Sequence, residues 1–188
     1  MKKTEQGIFI KEKQGILKLS VPGQGIMRIR RQMDTQTAPE ELILTNTLPP
    51  YDDWWVKETN DFITVETPTL RAVYSRAGST LQFCSRESGE VILREKEARF
   101  TRTSDENGWT GNVEQTFWTA EDELLGGLGQ QADGACNYRG RFVHLSQFNI
   151  ISAVPVLLSS RGYGLLWNNP SLTEINRRKT PLKLAFNP

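Results

Sequence analysis

The chain has 188 residues, 37% of them hydrophobic, with a mean hydropathy of −0.48. That is enough for one domain with a real core, and it gives no run long enough to span a bilayer. Lys+Arg 23 against Asp+Glu 22 leaves a formal charge of +1, so nothing favours nucleic acid or an anionic membrane surface as a partner. Two local basic runs, Arg28, Arg30, Arg31 and Arg177, Arg178, Lys179, read as solvated surface. Met1-Lys2-Lys3 is followed by Thr4, Glu5, Gln6 and Gly7 and not by an apolar stretch, so no signal peptide is read. The compartment stays open: cytoplasmic if Met1 is native, periplasmic or secreted if a leader has been removed.

Cys84 and Cys136 form neither a zinc spacing nor a CxxC pair and are expected as two free thiols, a disulfide being conceivable only in an exported protein. Pro39-Glu40-Glu41-Leu42 offers one helical turn, stopped by Asn46, Pro49 and Pro50. Thr45 to Trp55 reads as an exposed loop whose adjacent Trp54 and Trp55 pin it to a sheet edge. From there the signals are β. Phe62 to Val65 and Leu70 to Tyr74 are strands, and Arg76-Ala77-Gly78-Ser79 is a turn into Leu81-Gln82-Phe83. Glu87-Ser88-Gly89-Glu90 is a second turn, before Val91-Ile92-Leu93, and Val113, Gln115 and Phe117 alternate with Glu114, Thr116 and Trp118. Turns about every ten residues predict an antiparallel β-sandwich of more than about ten strands with little helix.

Leu124 to Pro170 is the informative stretch. Gly126, Gly127 and Gly129 are spaced too irregularly for a dinucleotide fingerprint, and no helix follows to cradle a phosphate. They suit a sharp bend at a sandwich edge. Val154 to Leu158 is almost uninterruptedly apolar, which predicts a strand buried on both faces, with Val154, Val156, Leu157 and Leu158 in the core. Ser159-Ser160-Arg161-Gly162 then turns the chain so that Tyr163, Leu165 and Trp167 share one face of a return strand.

The succession "GLGQ", a polar loop ending "NYRG", then "AVPVLLSSRGYGLLWNNP" resembles the end of the N-terminal domain of glycoside hydrolase family 31, most closely its α-xylosidase-type branch. It departs from the usual pattern at Gly127, where an aromatic is common, and at Gln130, where Glu is common. The resemblance covers about a quarter of the chain. It implies an all-β fold, a galactose-mutarotase-like antiparallel super-β-sandwich over residues 1–188 that packs on a catalytic (β/α)₈ barrel of the same polypeptide. It further implies retaining hydrolysis of α-linked sugars by two barrel carboxylates outside this chain. The family's nucleophile motif is absent here, and 188 residues leave no room for a barrel besides a sandwich. No catalytic residue, cofactor or metal is therefore assigned, and the partners expected are the barrel and an α-linked oligosaccharide.

The resemblance also implies that the loop after "GLGQ", Gln130 to Arg139, reaches the rim of the substrate pocket. Asp133 offers a carboxylate to sugar hydroxyls, Asn137 a donor and an acceptor, and Tyr138 a ring for a sugar face. Against these stands the plainer possibility of an Asp133-Gly134 turn and an Asn137 backbone cap. Two other readings stay open. A freestanding mutarotase-like epimerase would need its lone histidine, His144, as acid or base. A carbohydrate-binding module would use Trp54, Trp55, Trp109, Trp118 and Trp167, although Trp118 and Trp167 sit in strand contexts that favour the core.

Overall fold

The computed structural model describes residues 1–33, 50–105, 108–169, 171–176 and 182–186. The helical turn at Pro39 to Leu42, residues 45–49 of the loop before Trp55, Pro170 and the basic run at 177–179 lie outside them. The described residues contain sixteen strands and no helix, and every register is antiparallel. The chain divides into two compact units, Met1–Val91 and Ile92–Pro188.

The first unit opens with β1 (Lys2–Thr4), β2 (Gly7–Glu12), β3 (Gly15–Gly23) and β4 (Ile26–Gln32), paired in that order as one sheet. It continues with β5 (Trp55–Glu58), β6 (Phe62–Glu66), β7 (Leu70–Ser75) and β8 (Thr80–Ser85), joined as successive hairpins. Alternate residues point inward. Ile8 and Ile10, then Leu17, Leu19 and Val21, face Ile63 and Val65, Ala72 and Tyr74, and Leu81 across one core. Trp54 is buried in the same core, so the loop before β5 is pinned as expected. Arg31, expected on solvated surface, is nearly buried instead. It pairs with Glu12 at 3.2 Å and donates to the Ser79 carbonyl.

Glu66 is a buried carboxylate that the first unit holds ionised. Its Oε1 accepts from Arg71 and Arg86 and its Oε2 from the Trp55 indole N–H at 2.6 Å. Burial alone would raise its pKa. The hydrogen bonds from Arg71 and Trp55, with the two guanidinium charges, hold it below the ordinary 4.5. Arg86 also lies over the Trp55 ring.

The second unit holds β9 (Val91–Asp105), β10 (Gly108–Trp118), β11 (Leu125–Gln130), β12 (Val143–Leu145), β13 (Ser152–Ser159), β14 (Gly164–Leu166), β15 (Thr173–Ile175) and β16 (Leu182–Phe186). One group of strands runs in the order β12-β15-β16-β10-β9, and a three-stranded sheet runs β11-β13-β14. Phe117, Leu125, Leu128, Val143, Leu145, Leu157 and Ile175 are buried.

Two sequence expectations fail in this unit. On β13 only Leu157 is buried, whereas Val154 is 41% and Leu158 56% exposed, and Val156 is half-buried. The strand lies in a sheet with one face inward, so an apolar run alternates in and out like any other. Trp118 is likewise 53% exposed, because Phe117 takes the inward position and leaves Trp118 outside under the Lys96 ammonium. Cys84 is a buried free thiol and Cys136 an exposed one.

Two outcomes are expected. Leu157→Ala should cost about 2–4 kcal/mol in denaturant unfolding, whereas Leu158→Ser should cost less than about 1 kcal/mol. Equal costs would contradict the one-sided burial of β13. Glu66→Gln should lower stability by about 2 kcal/mol near neutrality. A carboxylate with a depressed pKa contributes fully above its unfolded value and loses the contribution as pH falls through the folded value. The gap in Tm between variant and wild type should therefore close as pH drops below 4.5; a gap independent of pH would contradict it.

Candidate functional site

The candidate site is the loop between β11 and β12, and its shape is set where β11 meets β13. The register runs Leu125↔Ser159, Gly126↔Leu158 and Gly127↔Leu157, then shifts to Gly129↔Ala153 and Gln130↔Ser152. Gly127 and Gly129 have φ of +97° and +79°. A Cβ at Gly127 would stand 2.4 Å from the Val156 carbonyl oxygen, and one at Gly129 1.9 Å from that of Ser152. Glycine is required at both positions by conformation and by close backbone approach. Between them Leu128 adopts φ 64° and buries its side chain.

The loop is fastened at its far end. Asn137 Oδ1 accepts from the backbone N–H of Leu125 at 3.0 Å and of Arg139 at 3.1 Å. The Tyr138 N–H donates to the Leu125 carbonyl at 2.7 Å. Asn176, buried just after β15, donates through Nδ2 to the carbonyls of Tyr138 and Arg141, both at 2.9 Å. The Tyr138 residue is 4% exposed, and burial, then the nearby Asp133 charge, pushes its phenol upward. Asp133 has another setting. Its Oδ1 accepts from the Ala135 N–H at 3.1 Å, making an Asx turn, while Oδ2 stands 3.7 Å from an Arg141 guanidinium nitrogen. Both side chains of that pair are about half exposed, so it is worth well under ~1 kcal/mol.

The three residues singled out from sequence thus share one loop but differ in role. Asp133 keeps an accessible carboxylate, Asn137 spends its acceptor on the backbone, and the Tyr138 ring is packed inside. Two residues that the sequence reading passes over hold the site in place. Asn176 is one. The other is Glu123, a buried carboxylate that accepts from Ser159 Oγ at 2.5 Å, Tyr163 Oη at 2.6 Å and the Ala120 N–H at 3.0 Å. It ties the β13–β14 turn to the segment entering β11. Neither carries a sequence signal: Glu123 sits among the acidic residues Glu121 and Asp122, and Asn176 follows an ordinary strand.

The buried acids among the described residues are Glu66, Glu95 and Glu123. Glu66 is taken up by arginines, Glu95 by the Gln115 amide at 2.6 Å and Glu123 by hydroxyls, so each is committed to a structural partner. No three His, Cys, Asp or Glu among the described residues stand where they would hold a metal ion. His144 is exposed on β12, opposite Glu174 in register.

Asn137→Ala should lower stability by about 1–2 kcal/mol, because the buried-side N–H of Leu125 loses its acceptor. Asp133→Ala should change it by less than about 0.5 kcal/mol. Thermal unfolding checks both, and a reversed order would contradict the division of roles.

The glycosyl hydrolase 31 N-terminal galactose mutarotase-like domain matches residues 16–176. An alpha-xylosidase of Saccharolobus solfataricus is 37% identical over 115 residues, which is 53% of this chain and 16% of that protein. Alpha-xylosidase A of Aspergillus niger is 33% identical over 60 residues, 32% of this chain and 8% of that protein. The crystal structure of a GH31 alpha-xylosidase from Xanthomonas citri superposes with a TM-score of 0.84 at 30% identity, covering 93% of this chain and 20% of that one. The chain spans no more than a fifth of the length of any of these three. The match to the family extends over most of the chain and through both compact units, and the chain belongs to the glycosyl hydrolase 31 N-terminal galactose mutarotase-like domain family.

Proposed function

We propose that residues 1–188 form the non-catalytic N-terminal domain of a retaining α-glycosidase of the α-xylosidase or α-glucosidase type. The catalytic carboxylates belong to a (β/α)₈ barrel of the same polypeptide, and this domain packs on it. The observation that carries this reading is the alignment of nearly the whole chain with one fifth of an alpha-xylosidase. The structural commitment of the buried acids in this chain supports the same division of labour.

In this reading the loop Gln130 to Arg139 borders the leaving-group side of the substrate pocket. Asp133 supplies the contact to sugar hydroxyls, since its carboxylate is exposed and weakly paired. Asn137 and Tyr138 act by fixing the loop's course. A binding platform of stacked rings has less support. Among the tryptophans with described side chains, Trp54 is buried, Trp167 is half-buried, Trp55 lies under Arg86 and Trp118 under Lys96. An epimerase has one feature in its favour, the cross-strand pairing of exposed His144 with Glu174. Mutarotation of glucose or galactose by the chain, lost in His144→Ala, would favour it.

The test is kinetic and uses the full-length gene product with aryl α-xylosides and α-glucosides. Hydrolysis is expected from the full polypeptide and none above background from residues 1–188. Asp133→Ala should lower kcat/KM about 5- to 10-fold, the loss of about 1 kcal/mol in one sugar hydrogen bond, with Tm unchanged. Wild-type kinetics across several substrate lengths would reduce the loop to a connector. Turnover by residues 1–188 alone would overturn the proposal.

A further inference from the structure

The outward face of the β11-β13-β14 sheet carries a row of large apolar side chains. Val154, Val156 and Leu158 alternate along β13 with their side chains on one face, and Leu166 of β14 stands opposite Val156. Leu124 joins the row beside Ser160, through the Ser160 N–H to Leu124 carbonyl bond and the Leu124 N–H to Ser160 Oγ bond. Leu158 is flanked by Gly126 on β11 and Gly164 on β14. It therefore stands as a knob with no cross-strand side chain on either side.

Just before β13 the chain forms a tip that is more exposed still, with Phe148 at 69% and Ile150 at 65%. The tip is built and not slack. The Ile151 N–H donates to the Phe148 carbonyl at 2.7 Å, and Asn149 takes φ 41° at the bend. The Gln147 side chain spans the base, donating to the Ile151 carbonyl at 2.8 Å and accepting from the Ala153 N–H at 3.2 Å. Exposed large apolar residues are ordinary singly, whereas a contiguous set held in fixed geometry marks an interface.

We infer that the Phe148–Ile150 tip and the knob row Leu124, Val154, Leu158 and Leu166 are the preformed docking surface for the catalytic domain of the same polypeptide. The occupant follows from length: solved structures that align with nearly all of this chain devote between about two-thirds and four-fifths of their own chain to other parts. The inference rests on the proposed function and gives its domain contact an address. Partner residues are expected to be apolar and recessed around Leu158 and Phe148, since knobs without neighbours need sockets.

The test is photo-cross-linking in the full-length gene product, with p-benzoylphenylalanine replacing Phe148 in one variant and Leu158 in another. Irradiation, digestion and mass spectrometry should give intramolecular cross-links to peptides beyond residue 188 in both. Cross-links confined to residues 1–188, or joining two copies of the polypeptide, would overturn the inference. Aryl α-xyloside hydrolysis is measured on the same preparations. Active enzyme without such cross-links removes the docking surface alone; cross-links in a polypeptide inactive on all α-glycosides remove the glycosidase reading and keep the surface. As a second measure, the double variant Phe148→Ser/Leu158→Ser should split the thermal unfolding of the full-length protein into two transitions. An unchanged single transition would count against the surface.

Discussion

The second compact unit is organised by how closely the backbones of β11 and β13 approach at Gly127 and Gly129. No side chain fits between either glycine and the carbonyl it faces. Two glycines with positive φ let β11 bend while pairing at both ends, at the local cost of a left-handed leucine between them. Burying Leu128 offsets part of that cost. The bend fixes where β11 ends and therefore where the loop begins. Asn137 and Tyr138, bonded back to Leu125 at the other end of β11, fix where it returns. A loop fastened at both ends can present one carboxylate, that of Asp133, in a repeatable place without a packed core of its own.

The two best-defined buried carboxylates are held by opposite chemistry. Glu66 receives guanidinium groups and an indole N–H, and its charge is stabilised against burial. Glu123 receives two hydroxyls and a backbone N–H, with no cation bonded to it among the described residues; the neighbouring Arg161 donates to Asp122. The consequence falls on Tyr163, whose phenol is driven strongly upward by burial first and then by its bond to Glu123. Both effects favour the phenol form, the form that donates to Glu123, and that bond ties the hairpin turn to the start of β11. Each carboxylate does a positional job.

The sequence made some of this legible. Strands β6, β7, β8 and β10 stand out because apolar and polar residues alternate between clear turns, and in Phe62 to Glu66 the alternation matches burial, whereas Val113 to Thr116 are all half-buried before a register shift at Phe117. The four-stranded sheet at the start, β1 to β4, went unassigned, although Ile8 and Ile10 and then Leu17, Leu19 and Val21 alternate just as plainly. On the loop, an Asx turn at Asp133 and a cap at Asn137 were legible as local chemistry, since short polar side chains beside glycine favour both. What was not legible depends on partners distant in sequence. Asn176 meets Tyr138 from 38 residues away and Glu123 meets Tyr163 from 40, and nothing local announces either contact. Val154 to Leu158 misleads for a related reason. An apolar run records that both faces of a strand carry apolar side chains, but not whether the second face is covered.

That distinction has an energetic side. A half-exposed leucine or valine leaves about 1 kcal/mol of burial unused, so the outward row and the Phe148–Ile150 tip together hold several kcal/mol in reserve. For two free proteins such a sum would barely offset the lost translational and rotational freedom. For domains joined in one chain most of that cost is already met, because a short connection holds the partner at millimolar effective concentration. A modest apolar surface then suffices to fix their arrangement, provided its geometry is prepared in advance. Gln147 bridging the base of the tip, and glycines clearing space beside Leu158, supply that preparation. The same strand β13 that pairs with Gly129, where the loop begins, carries this row.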